Sequence, residues 1–108
     1  MRFSTTAMIE RNVRQNARFA TEPYEAGWAG EGRWFVRVLE GTGQWSAHVE
    51  VSPDGQAWCP LGPQVHVEGP GVYTLGAVNF GHWLRLVLAP TGGDGPSLWF
   101  HAYLSLKE

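Results

Sequence analysis

The stretch Gln44-Trp45-Ser46-Ala47-His48-Val49-Glu50-Val51-Ser52-Pro53-Asp54-Gly55 decides the fold class. Trp45, Ala47, Val49 and Val51 alternate with Gln44, Ser46, His48, Glu50 and Ser52. A period of two sustained over such a run marks an antiparallel strand with one face on a core and the other in water. Pro53-Asp54-Gly55 then reverses the chain, because proline presets φ and glycine accepts positive φ. Gln56–Leu61 returns with Trp58, which this reading places inward with Trp34 and Trp45.

The same grammar extends in both directions. Upstream, Arg33–Glu40 alternates with Trp34, Val36 and Val38 on one side. Downstream, Gln64–Glu68, Val72–Leu75 and Ala77–Phe80 are short apolar runs, with Gly69-Pro70-Gly71 as a turn. His82–Ala89 and Ser97–Leu106 are longer, joined by Pro90-Thr91-Gly92-Gly93-Asp94-Gly95-Pro96. No helical period occurs past residue 30. Seven or eight strands with frequent turns predict an all-β, two-sheet antiparallel sandwich, jelly-roll-like or immunoglobulin-like.

The first 26 residues read differently. They hold Arg2, Arg11, Arg14 and Arg18 but neither glycine nor tryptophan, whereas residues 27–108 hold every one of both. We expect an N-terminal arm (1–26), a Gly-rich linker (27–32) and a β-sandwich domain (33–108). Phe3–Ile9 reads as extended, and Met8–Phe19 as either extended or a weak helix. The apolar arm residues Phe3, Ile9, Val13 and Phe19 are too few for a core of their own, so this reading seats them in a neighbouring copy. Arg11, Arg14 and Arg18 would set register against carboxylates of that partner.

Composition excludes several classes. The 108 residues suffice for one domain, and 44% hydrophobic residues suffice for a core. A net charge of −2 argues against a nucleic-acid binder carried by bulk charge. No apolar run is long enough for a membrane helix, and no signal peptide is recognisable. Cys59 is the single cysteine, so no intrachain disulfide forms. His48, His66, His82 and His101 lie on four separate strands without metal-ligand spacing, so no metal, cofactor or catalytic set is expected. Asp54 and Asp94 sit in turns, where Asp bonds local backbone. Trp83, Trp99 and Tyr103 fall out of phase with the core residues of their strands, which means either strands buried on both faces or an outward aromatic patch suited to an interface or to sugar stacking.

From Val49–Trp58, through Gly69–Leu75 and Trp83–Leu86, to Leu98–Ala102, the chain resembles a small uncharacterised Firmicutes β-domain family. Its strand, Asp-Gly turn, Trp hairpin is also similar to those of carbohydrate-binding and discoidin-like sandwiches and phage virion domains. The layout of arm and jelly-roll-like domain resembles bacterial spore-appendage subunits. That resemblance implies polymerisation through the arm, although this arm lacks the cysteines such subunits use for cross-linking. The leading expectation is a non-enzymatic subunit that self-assembles head to tail into an extracellular or spore-surface filament by arm exchange. The alternatives are a carbohydrate-binding module with glycan as partner, or a virion protein using the same arm.

Overall fold

The alternating segments on either side of Gly43 form one strand. In the computed structural model, which describes residues 4–108, the order is β1 (Ser4–Gln15), β2 (Phe19–Ala20), β3 (Tyr24–Glu25), β4 (Glu31–Ser52), β5 (Cys59–Val67), β6 (Gly71–Val78) and β7 (Trp83–Lys107). No helix occurs among the described residues, and all strand pairings are antiparallel. β4 and β7 pair from Glu31↔Lys107 to Ser52↔Trp83. A straight strand of the length of β4 would run about 70 Å at about 3.3 Å per residue, yet the longest dimension of the molecule is 47 Å. The ribbon therefore bends. Register shifts at Val38/Glu40, Thr42/Gln44 and Gln44/Trp45 mark the bend on β4. Gly43 and Gly93 both take positive φ there, and a Cβ on Gly93 would lie 2.8 Å from the Gly43 Cα. The strands touch at the bend through bare backbone.

The bend divides the ladder into two halves. The first holds β6, residues 31–42 of β4, residues 97–107 of β7, and β1. The second holds β5, residues 44–52 of β4, residues 83–90 of β7, and the short β2 and β3. Their inner faces form one core. Trp34, Val36 and Val38 point into it before the bend, and Trp45, Ala47 and Val49 after it. The inward set changes from even to odd positions because the bulges shift the register. Phe19, beside Leu88 in the second half, meets Phe100 of the first half edge-on at 5.7 Å. The all-β antiparallel architecture is thus as expected. The ladder is continuous rather than interrupted, because bulges and positive-φ glycines let strands continue where the sequence suggests turns.

Three expectations are corrected. Residues 4–25 pack on their own chain: β1 runs beside β7 from Ser4↔Lys107 to Gln15↔Leu98, and β2 and β3 pair with its other half. Ile9, Val13 and Phe19 lie against the core of their own chain, and Met8–Gln15 is strand, not helix. Phe3 lies outside the described residues. The physical reason is the open edge of β7, whose backbone groups are satisfied within the chain by the segment that reaches them first. Second, residues 27–32 are not a free tether. Ala26 N donates to His82 O at 2.7 Å, Gly30 N donates to Lys107 O at 2.9 Å, and Glu31 already belongs to β4. Third, Trp58 is half-buried on the outer side, stacked on Arg85 with the guanidinium 4.3 Å from the ring centroid. The Asp54 turn holds residues 56–58 off the ladder, and β5 begins only at Cys59. Asp54 Oδ1 accepts from Gln56 N at 2.8 Å and Ala57 N at 3.0 Å, while Ser52 Oγ accepts from Gly55 N at 2.8 Å.

Candidate functional site

Residues out of phase with the core build two outer faces, one on each half. On the first half they stand in rungs across four strands. Val78, Glu31 and Lys107 form one rung; Gly76, Arg33, Ser105 and Thr6 the next. Thr74, Phe35, Tyr103 and Met8 follow, then Val72, Arg37 and His101. Antiparallel pairing thus puts two aromatic rings, Phe35 and Tyr103, side by side on one face.

A groove of about 310 Å³ lies over the first two rungs, lined by Glu31, Arg33, Phe35, Val78, Ser105 and Lys107 around Gly76. Gly76 leaves room for Arg33: a Cβ there would sit 2.9 Å from Nη2, and the guanidinium at the end of its flexible side chain would have to shift. Arg33 Nη1 donates to Thr74 Oγ1 at 3.1 Å, and Thr74 Oγ1 donates to Trp34 O at 2.9 Å. Arg33 is thereby tethered to β6, on the same outer face as Phe35. Thr6 Oγ1 donates to Ser105 Oγ at 3.1 Å on the opposite wall. A second groove, of about 340 Å³, opens at the far end of the same face between Arg14, Glu40 and Trp99. The Arg14 guanidinium lies 4.1 Å from the Trp99 ring centroid and covers one side of that ring. His101, edge-on to Tyr103 at 6.4 Å, lies between the two ends, its Nδ1 accepting from Asn12 N at 3.0 Å. Arg14, Arg33, Arg37 and Lys107 on this face outnumber Glu31 and Glu40, although the chain as a whole is net −2.

The outer face of the second half is a closed charge cluster. Glu50 accepts from Arg85 Nη2 at 2.6 Å and Nε at 2.8 Å, and from His48 Nε2 at 3.0 Å. Arg18 Nη2 approaches to 3.7 Å. Burial would raise the Glu50 pKa, but the hydrogen bonds from His48 and then Arg85 outweigh it and hold the carboxyl below its ordinary value. Asp54 is likewise held below its ordinary range, by the amides of Ala57 and Gln56. With Arg85 clamped and Trp58 lying over it, this face is organised to hold itself together.

The sequence-derived residues divide between these faces. Trp99 and Tyr103 share the first; Trp83 stands on the second, 5.7 Å from the His82 ring and next to Gly55. All three are half-buried. Arg14 and Arg18 do find aromatic and acidic partners, but in their own chain. Arg11 is exposed on β1. The four histidines stay apart: three sit beside one glutamate each, and no group of three or more potential metal-ligating side chains exists among the described residues. Phe35 and the groove were not anticipated. The available signal was an aromatic in the polar phase between Arg33 and Arg37.

No family model matches the chain, and no curated protein matches it. Solved structures do. The chain is similar to the PBSX exported protein XepA, with TM-score 0.65 and 12% identity over 98% of this chain, though it spans only 36% of XepA. It is similar to the subunit of Bacillus endospore appendages, described as disulfide-linked pili, with TM-score 0.55 and 8% identity over 98% of this chain and 86% of that one. It is also similar to the CBM36-1 domain of a multidomain xylanase from the hindgut metagenome of Trinervitermes trinervoides, with TM-score 0.55 and 9% identity over 96% of each chain. The likeness is one of fold. It spans a protein described as exported, an appendage subunit and a CBM36-1 domain.

Proposed function

We propose that this chain is a non-enzymatic recognition module whose first outer face binds an acidic polysaccharide. The carrying observation is the groove over Gly76, lined by Phe35 and by Arg33 hydrogen-bonded to Thr74, with Ser105, Lys107 and Glu31 completing the wall. Sugar rings stack on aromatic faces while their hydroxyls take hydrogen bonds from a few placed polar groups. The excess of arginine and lysine on this face favours carboxylate-bearing sugars, because guanidinium groups bind carboxylates in a planar fork.

The test is calorimetric titration with oligogalacturonate and with a neutral xylo-oligosaccharide. The acidic oligomer should bind more tightly. Phe35→Ala and Arg33→Ala should each weaken binding by roughly tenfold or more, equivalent to about 1.4 kcal/mol, while Trp83→Ala should leave it unchanged. Loss of binding in Trp83→Ala with retention in Phe35→Ala would place the site on the wrong face.

The second reading is self-assembly by exchange of β1, in a filament or a virion. It keeps the β1–β7 register and forms it between copies, a swap that needs the segment between β1 and β4 to open. The appendage-like layout supports it. Against it, that segment is held by Thr21 N to Leu86 O at 2.9 Å, by Ala26 N to His82 O and by Gly30 N to Lys107 O. A swapped polymer would disappear on removal of residues 1–15, whereas the glycan-binding reading needs no polymer.

A further inference from the structure

Four strand edges bound the ladder, and three are guarded. β1 carries Glu10, Arg11 and Arg14 and two register shifts. β5 carries Pro60 and Pro63. β2 and β3 are two residues each. Charge, proline, bulges and shortness are the devices that stop one sheet edge from joining another. β6 uses none of them. Gly71-Val72-Tyr73-Thr74-Leu75-Gly76-Ala77-Val78 has no charge and no proline, keeps unbroken register with β4, and pairs with no other described strand. It also carries the two most exposed large hydrophobic residues described, Val72 at 65% and Val78 at 56%.

The ladder shows which backbone groups of β6 are free. Thr74 Oγ1 donates to Trp34 O, so that carbonyl faces β6 and Trp34–Leu75 is a hydrogen-bonded pair. By alternation Val72, Thr74, Gly76 and Val78 turn their N–H and C=O groups to the open side. Val72 and Val78 are equidistant from Leu75. We propose that β6 pairs antiparallel with β6 of a second copy about a twofold axis at Leu75, joining two copies into one continuous sheet. That register sets Val72 opposite the partner's Val78, and Thr74 opposite the partner's Gly76. Both exposed valines are covered by one symmetric contact, as an isologous interface requires. β6 itself brings no charged residue to the contact, and the Arg33 side chains that lie over Thr74 and Gly76 are exposed and free to swing away from the seam. The outer faces of the two copies continue one another, so their grooves lie on the same side of the joined sheet. The pairing does not depend on what those grooves bind.

Sedimentation velocity on the full chain over a wide concentration range tests this. The unsubstituted chain should sediment at twice the chain mass at high concentration and dissociate on dilution. Val72→Lys combined with Val78→Lys opposes like charges at both ends of the contact and should give a folded monomer. Val72→Lys combined with Val78→Glu opposes lysine to glutamate twice and should restore the dimer. Within one chain the two positions are on the same strand and too far apart to pair with each other, so a dimer lost in the double-lysine variant and regained in the lysine–glutamate variant reports the register between copies. Circular dichroism verifies that both remain folded. A monomer throughout for the unsubstituted chain, a dimer in the double-lysine variant, or a lysine–glutamate variant as monomeric as the double-lysine one would overturn the proposal.

Discussion

Replacing Glu50 should expose how much the closed outer face of the second half contributes. The Glu50 side chain is only 10% exposed, and it accepts two hydrogen bonds from Arg85 and one from His48. Arg85 is itself 20% exposed, with Trp58 over its guanidinium. Glu50→Ala leaves that guanidinium half-enclosed without a counter-charge. Loss of one partner of a buried pair costs about 3–5 kcal/mol, and the partial exposure of Arg85 and Arg18 puts the expected loss near the lower end, about 3 kcal/mol. Glu50→Gln keeps an acceptor but loses the charge, and should cost about 1.5–3 kcal/mol, the range for hydrogen bonds to charged groups. The assay is urea unfolding followed by tryptophan fluorescence, repeated across pH. Glu50 is held below its ordinary value of 4.5. Its contribution is therefore fully present above that value and is lost as pH falls through the lower folded-state value. The gap between the unsubstituted chain and Glu50→Gln should be present at neutral pH and close below pH 4.5. A Glu50→Ala loss under about 0.5 kcal/mol, the range of ordinary surface changes, would refute the reasoning.

Two further outcomes follow from the core and the first strand. Trp34 is fully buried at the centre of the core, so Trp34→Ala should cost about 3–5 kcal/mol in the same urea assay. Val13→Asp places a carboxylate against the core of its own chain and should lower the stability of an isolated monomer by more than about 1 kcal/mol; a change that altered only assembly would return β1 to a neighbouring copy.

The strand grammar was legible because alternation and turn chemistry are local. Trp45 to Val51 announced their face, and the Ser52–Ala57 turn formed with the hydrogen bonds that Asp and Ser imply. What was not legible depends on contacts between distant segments. Nothing in residues 1–26 says that β1 will find β7 some ninety positions later, and a polar, arginine-bearing strand looks like an arm until its partner is known. Trp58 was hidden for a related reason: the turn holds it off the ladder, so strand alternation does not set its side. Phe35 alone is an unremarkable out-of-phase aromatic. Only the pairings of β4 put it between Tyr103 on β7 and Thr74 on β6, at the end of the groove.

The most direct test of the binding face is an amide NMR titration of the chain with a soluble oligogalacturonate. Saturable shifts should concentrate at Arg33, Phe35, Gly76, Tyr103 and Ser105, with the amides around Trp58, Trp83 and Glu50 still. Shifts centred on the latter group, or none at saturating oligosaccharide, would contradict it.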